Sequence, residues 1–192
     1  MRKNLYIASK NNGKINEYRK LLAGINCNLM LQPDWIEIIE DGKNFRDNAL
    51  KKASRVSSET KNYAIADDSG LCVNALEGRP GIYSSRYAKT DCKRIERLIS
   101  ELEGFDNRSA FFVANICVCS PEGELILDVE DRCNGNILYK PRGSNGFGYD
   151  PIFEEISTGL TFAEMNDHMK DKYSHRGRAT KKIIPQLLSL FN

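Results

Sequence analysis

Apolar positions recur along this chain in two rhythms, one of strands and one of helices. Asn4 to Ala8 is a short apolar run that predicts a strand, followed by the polar turn Ser9-Lys10-Asn11-Asn12-Gly13. From Lys14 to Ala23, Ile15, Tyr18, Leu21 and Leu22 fall at helical spacing, with Gly24 as a stop. Cys27 to Gln32 predicts a second strand ended by Pro33. Asn44 to Thr60 is the clearest helix; Asn44 is a capping residue, and Asp47 three positions later completes a capping-box-like pair. Ala64 to Ala66 then predicts a strand running straight into Asp67 and Asp68.

A further amphipathic helix is expected over Asp91 to Leu102, stopped at Gly104. Phe111 to Cys119 reads as a strand, Pro121-Glu122-Gly123 as a turn, and Glu124 to Val129 as the returning arm of a hairpin. Ser174 can cap a last helix reaching Leu190, with Pro185 predicted to kink it. Strands and helices alternate before the hairpin appears, which predicts an α/β fold with a mixed sheet.

At 192 residues the chain suits one domain, or one domain drawn into two lobes. The hydrophobic fraction of 41% and the charged fraction of 28% are those of a soluble globular protein. A net charge of +2 argues against a bulk electrostatic binder of nucleic acid polymers. No apolar run approaches the ~20 residues that cross a membrane. The apolar run at the amino terminus is also too short for a signal peptide. A cytoplasmic protein is expected. The six cysteines form no Cys-x-x-Cys pair, so reduced packing cysteines are expected rather than zinc or disulfides.

Four clusters carry candidate chemistry. Ser9 to Lys14 brings a hydroxyl, lysines and backbone N–H groups to a helix amino terminus, an arrangement suited to an anion. It is not a Walker A loop, because Ala8 and Ile15 stand where that motif needs glycine and Ser/Thr. Glu40-Asp41-Gly42 precedes a helix bearing Asp47, Asn48, Lys51 and Lys52, in which Glu40 suits a metal and Lys52 a phosphate. Asp67-Asp68-Ser69-Gly70 is expected at the solvated rim of a sheet, since an isolated carboxylate is strongly disfavoured in an apolar interior. Neighbouring strand residues point to opposite faces, so only one of the two acids is expected to enter a site. Gly146-Phe147-Gly148 presents an aromatic ring suited to stacking a base, with Tyr149 and Asp150 beside it and Lys172, His175 and Arg176 downstream. His168 and His175 are the only histidines, which excludes a His-rich metal site.

Together these blocks resemble the inosine triphosphate pyrophosphatase (Ham1-like) family. The resemblance runs through Ser9-x-Asn11-x-x-Lys14, Glu40-x-Gly42-x-x-Phe45-x-x-Asn48-Ala49 with Lys52, and Ala66-Asp67-Asp68-Ser69-Gly70-Leu71. It continues through Gly81-Ile82-Tyr83-Ser84-x-Arg86, Gly146-Phe147-Gly148-Tyr149-Asp150-Pro151-Ile152-Phe153 and Ser174-His175-Arg176-Gly177. It departs at Asn44, where the family usually has Thr, at Asp47, where Glu is common, and at Ser85, where Ala is usual.

The resemblance implies a single elongated α/β domain over residues 1–192, with a central twisted mixed sheet and a cleft between two lobes. It implies a Mg²⁺-dependent hydrolase that cleaves ITP, dITP and XTP to the monophosphate and pyrophosphate, and commonly a homodimer. Ser9, Asn11, Lys14 and Lys52 then resemble the triphosphate cradle, with Ser69 beside the acids. Asp68 resembles the catalytic acid and a metal ligand, and Glu40 a second carboxylate on the metal. Phe147, Gly148, Tyr149 and Asp150 resemble the base platform. Lys172, His175 and Arg176 resemble the residues that read the purine's polar edge. The alternative reading is a non-catalytic purine nucleotide sensor of the same fold.

Overall fold

The computed structural model describes residues 2–192. Six strands form one sheet in the order β2-β1-β3-β4-β5-β6. They are β1 Asn4–Ile7, β2 Asn28–Leu31, β3 Tyr63–Val73, β4 Ser109–Cys119, β5 Leu125–Ile137 and β6 Phe153–Glu155. β1 is parallel to both β2 and β3, with Leu5 opposite Leu29 on one side and Tyr63 on the other. β5 and β6 are antiparallel. The sheet is therefore mixed. Among the described residues the α-helices are α1 Asn12–Leu21, α2 Phe45–Thr60, α3 Asp91–Glu101, α4 Asp167–Tyr173 and α5 His175–Phe191. Among the described residues no helix is long and apolar enough to cross a membrane.

The chain divides into two compact units. The first contains the residues up to Asp68 with Ala114–Glu130 and Ala179–Asn192. Its core lies on both faces of the sheet. On one face Leu5, Ile7 and Ile65 pack with Ile15 and Tyr18 of α1 and with Ile183 and Leu187 of α5. On the other, Ala8, Ala64 and Ala66 pack with Ala49, Ala53 and Val56 of α2. The alanine-on-alanine contact lets α2 approach the sheet closely, since neither partner projects beyond Cβ. The second unit contains Ser69–Val113 and Asp131–Arg178. Its core gathers Leu71, Val73, Leu98 and Leu102 with a ring cluster of Phe112, Phe153 and Phe162.

Caps fix the helix starts. Asn11 accepts from Lys14 N at the head of α1, Asn44 from Asp47 N at α2, Thr90 from Lys93 N at α3 and Asn166 from Met169 N at α4. Ser174 Oγ accepts from Gly177 N at 3.1 Å and so caps α5 as expected. Ser9 Oγ accepts from Asn11 N, supporting the turn rather than the helix.

The structure corrects the pattern-based expectation at several places. β3 does not end at the acids but continues through them to Val73, and both are buried within it, Asp67 at 1% and Asp68 at 7% exposure. The Asp67 carboxylate meets Lys14, and that of Asp68 meets Lys52 and Asn48, partners that the local sequence does not show. β5 runs on to Ile137 because β6 pairs with its distal half. β6 and α4 were not anticipated, being three and seven residues long. α5 carries Pro185 inside it and continues to Phe191.

Candidate active site

Strand alternation decides where the two acids go. Ile65 faces α1, so Asp67 two positions on faces α1 as well; Ala64 and Ala66 face α2, so Asp68 does too. Asp67 Oδ2 accordingly meets Lys14 Nζ at 3.1 Å, and Lys14 Nζ also reaches the Asp67 carbonyl at 3.4 Å. Asp68 meets two side chains one turn apart on α2: Asn48 Nδ2 donates to its Oδ2 at 3.0 Å, and Lys52 Nζ to its Oδ1 at 3.3 Å.

Lys52 Nζ also lies 2.8 Å from Glu40 Oε1, so Glu40 and Asp68 share one ammonium group. Burial works against that ammonium, but the carboxylates of Asp68, Glu40 and Asp67 outweigh it and hold Lys52 above its ordinary pKa. The segment 40–42 is held by α2 at three successive residues: Glu40 by Lys52, Asp41 by Lys51, and the Gly42 N–H by Asn48 Oδ1 at 2.8 Å. Asp47 Oδ2 accepts from Lys43 N at 3.3 Å, on the residue after Gly42. Ser9 and Asn11 stand in the β1–α1 turn that delivers Lys14, while Lys10 donates to the Asp34 carbonyl. Among the described residues no three His, Cys, Asp or Glu side chains cluster as a metal site. Glu40 and Asp68 are hard oxygen donors brought to one cation, a pair that suits a metal whose remaining ligands are phosphate oxygens and water.

The second group belongs to the other unit. Phe147 is half-buried in a glycine-rich turn whose backbone is held at two points. Its own N–H donates to Asp150 Oδ2 at 2.8 Å, and Gly148 N donates to Asp91 Oδ2, on the first turn of α3, at 2.8 Å. Gly146 sits at φ +78°, where a Cβ would run into the Asp150 carboxylate. Lys170 Nζ donates to Asp150 Oδ2 at 2.6 Å and lies 4.8 Å from the centre of the Phe147 ring. Tyr149 is buried, donates to the Ser84 carbonyl at 3.1 Å, and has its phenol pushed up by burial.

His175 stacks face to face on Phe112, with centroids 4.7 Å apart and 9° between planes. The adjacent Arg176 is 2% exposed and donates to Ser69 Oγ at 2.8 Å. Lys172 is exposed, its ammonium 5.0 Å from the Tyr173 ring centre. Reasoning from sequence selected Lys172 and passed over Lys170. Lys170 and Lys172 are two apart on α4 and so point to different sides, Lys170 to Asp150 and Phe147 and Lys172 to Tyr173. Sequence reasoning also left Asn48 and Asp91 without a role.

Residues 5–186 match the model of the Ham1 family. The chain belongs to the Ham1 family. A dITP/XTP pyrophosphatase from Prochlorococcus marinus subsp. pastoris is 66% identical over 190 residues, covering 99% of this chain and 100% of that protein. One from Nostoc sp. is 47% identical, covering 100% and 98%. The Ham1 protein of Coxiella burnetii superposes with a TM-score of 0.88 at 37% identity, covering 97% of this chain and 99% of that one. The Ham1 protein of Staphylococcus aureus superposes at 0.85 with 34% identity, covering 99% and 100%. The two groups thus lie on a Ham1 fold, the acids and phosphate-type donors in one unit and the aromatic platform in the other.

Proposed function

We propose that this Ham1 protein hydrolyses ITP, dITP and XTP to the nucleoside monophosphate and pyrophosphate, clearing deaminated purines from the nucleotide pool. The observation that carries the reading is the Asp68 carboxylate, 7% exposed, with one oxygen on Asn48 and the other on the lysine it shares with Glu40. A carboxylate so held can accept a proton from a water attacking a phosphorus atom. The new P–O bond forms as the bond from that phosphorus to the α–β bridging oxygen breaks, and pyrophosphate leaves. Mg²⁺ on Glu40 and Asp68 would neutralise charge building on the phosphoryl oxygens. Lys14 and Lys52 bind the phosphates, with Ser9 and Asn11 shaping the turn and Ser69 alongside. In the nucleotide complex their ammonium groups exchange carboxylate partners for phosphate oxygens.

Phe147 stacks the purine, and Gly148, Tyr149 and Asp150 form the turn that presents it. Lys172, His175 and Arg176 read the ring's polar edge, joined by Lys170, which already lies against Phe147. Donors aimed at position 6 bond a keto oxygen and leave an amino group unpaired, a penalty of ~1–3 kcal/mol, or about fivefold to 150-fold against ATP. The reading treats residues 1–192 as one catalytic domain, working in the cytoplasm as a homodimer on free nucleotides rather than nucleic acid polymers.

The test is Mg²⁺-dependent pyrophosphate release from ITP, dITP, XTP, GTP and ATP, coupled to an inorganic pyrophosphatase and repeated with Asp68→Asn. Turnover of the first three, weak turnover of ATP and loss in the variant are expected. Orthophosphate without the coupling enzyme would place cleavage at the γ position and overturn the reaction. Tight binding of ITP without turnover would establish the sensor instead.

A further inference from the structure

We infer that Asn48 is a positioning residue whose single amide locks the Asp68 carboxylate and the Glu40 segment into one catalytic geometry. The inference rests on the reading of Asp68 as the catalytic acid. Asn48 is 1% exposed on α2, and its amide is spent at both ends. The Nδ2 donates to Asp68 Oδ2 at 3.0 Å, and the Oδ1 accepts from Gly42 N at 2.8 Å. An amide has a donor end and an acceptor end, so the two bonds fix one rotamer and one flip state together. A carboxylate or a hydrocarbon of the same size could serve only one end or neither.

The consequence for Asp68 is orientational. With Oδ2 on Asn48 and Oδ1 towards Lys52, the plane of the carboxylate is set by two side chains at i and i+4 of the same helix. Loss of the amide leaves a single ammonium contact about which the carboxylate can turn. The consequence for Glu40 runs through the backbone. Gly42 packs so tightly on Asn48 that a Cβ at position 42 would stand 2.6 Å from Asn48 Oδ1 and 2.8 Å from the Asp47 Cβ. Gly42 has no positive φ to explain it, so its lack of a side chain is a requirement of this contact. The segment bearing Glu40 is therefore seated against α2 by the same amide that orients Asp68. Neither Asn48 nor Gly42 carries a nucleotide-binding role in that reading, so loss of their link should fall mainly on turnover rather than on binding.

The experiment is a double-mutant cycle on Asn48→Ala and Gly42→Ala, assayed with dITP and Mg²⁺ well below each variant's melting temperature. Each single variant is expected to lose about tenfold to a hundredfold in kcat, the scale of a misplacement on the order of 1 Å, with KM within about twofold. Because both break the Asn48–Gly42 link, the loss in the double variant should fall well short of the product of the two single losses. Multiplying losses, or a KM rise matching the kcat fall, would overturn the inference, and so would full kcat in a folded single variant. A merely structural role would lower the melting temperature and leave kcat and KM unchanged. Should Asn48→Ala fail to fold, Gly42→Ala displaces the amide without deleting any side chain, and its kcat decides alone. Asp68→Asn runs alongside: if it retains turnover, the assignment of the acid falls; if it is inactive while Asn48→Ala is not, only the positioning role falls.

Discussion

A carboxylate that ends up inside a strand of alanines needs its counter-charge from elsewhere in the chain. For Asp67 that partner is Lys14, 53 residues earlier, with the carboxylate side chain fully buried and the lysine side chain 13% exposed. Breaking a buried ion pair by removing one of its charges costs about 3–5 kcal/mol. Asp67→Ala should therefore lower the melting temperature by roughly 6–20 °C for a chain of this size. Differential scanning calorimetry checks it, and a shift of under about 2 °C would show the pair to be dispensable. Asp68→Asn keeps the shape and one acceptor, so its effect should fall on turnover. The same logic separates the two candidate lysines of the base platform. Lys170 is engaged by Asp150 and lies over Phe147, while Lys172 is exposed over Tyr173. Lys170→Ala should raise the KM for dITP by about tenfold or more, the scale of a charge-assisted contact, and Lys172→Ala by less. The reverse order in steady-state kinetics would give Lys172 the larger share of the edge reading.

At the scale of elements, the turn after β6 depends on one carboxylate. Glu155 is 5% exposed and accepts from Ser157 N, Ser157 Oγ and Thr158 N at 2.8–3.1 Å. Burial pushes its carboxyl upward, but these donors prevail and hold it below the usual range. A carboxyl lowered on folding contributes fully at neutral pH, and that contribution is lost as pH falls below the unfolded value of about 4.3. Glu155→Gln should thus cost a few degrees of melting temperature at pH 7 and flatten the fall in melting temperature below pH ~4.5. An unchanged acid limb would locate the pH dependence in other carboxylates.

β6 and α4 were illegible for a related reason. Three or seven residues show too few periods to announce themselves, and what stabilises them is the distal half of β5, or a cap and a ring cluster, each remote in sequence. The long elements were legible because α2 and α3 repeat their apolar face over several turns and carry Asn and Thr caps. The site was legible as motif blocks. The partner of each side chain was not, because Asn48 meets Gly42 and Asp68 only once α2 lies on the sheet.

Across the whole molecule, three strands refuse the division into units. β3 passes from one unit to the other after Asp68, β4 after Val113 and β5 after Glu130, and α5 does so after Arg178. Neither unit is a continuous stretch of chain. A unit that opened alone would have to break ladder hydrogen bonds in strands whose other halves stayed in place. Unfolding should therefore be one cooperative event, although chains that divide into two units often give two.

The cysteines supply a probe in each unit. Cys119 and Cys133 are both fully buried, in the first and second unit respectively. Burial pushes the Cys119 thiol up to about 11 and the Cys133 thiol up to about 12, so neither reacts at pH 8 until its surroundings open. Pulsed alkylation along a urea series, read peptide by peptide by mass spectrometry, should give both thiols the same midpoint. The exposed Cys92 should label at every urea concentration and serve as the reference. Separate midpoints for Cys119 and Cys133 would mean that the shared strands yield at the unit boundary.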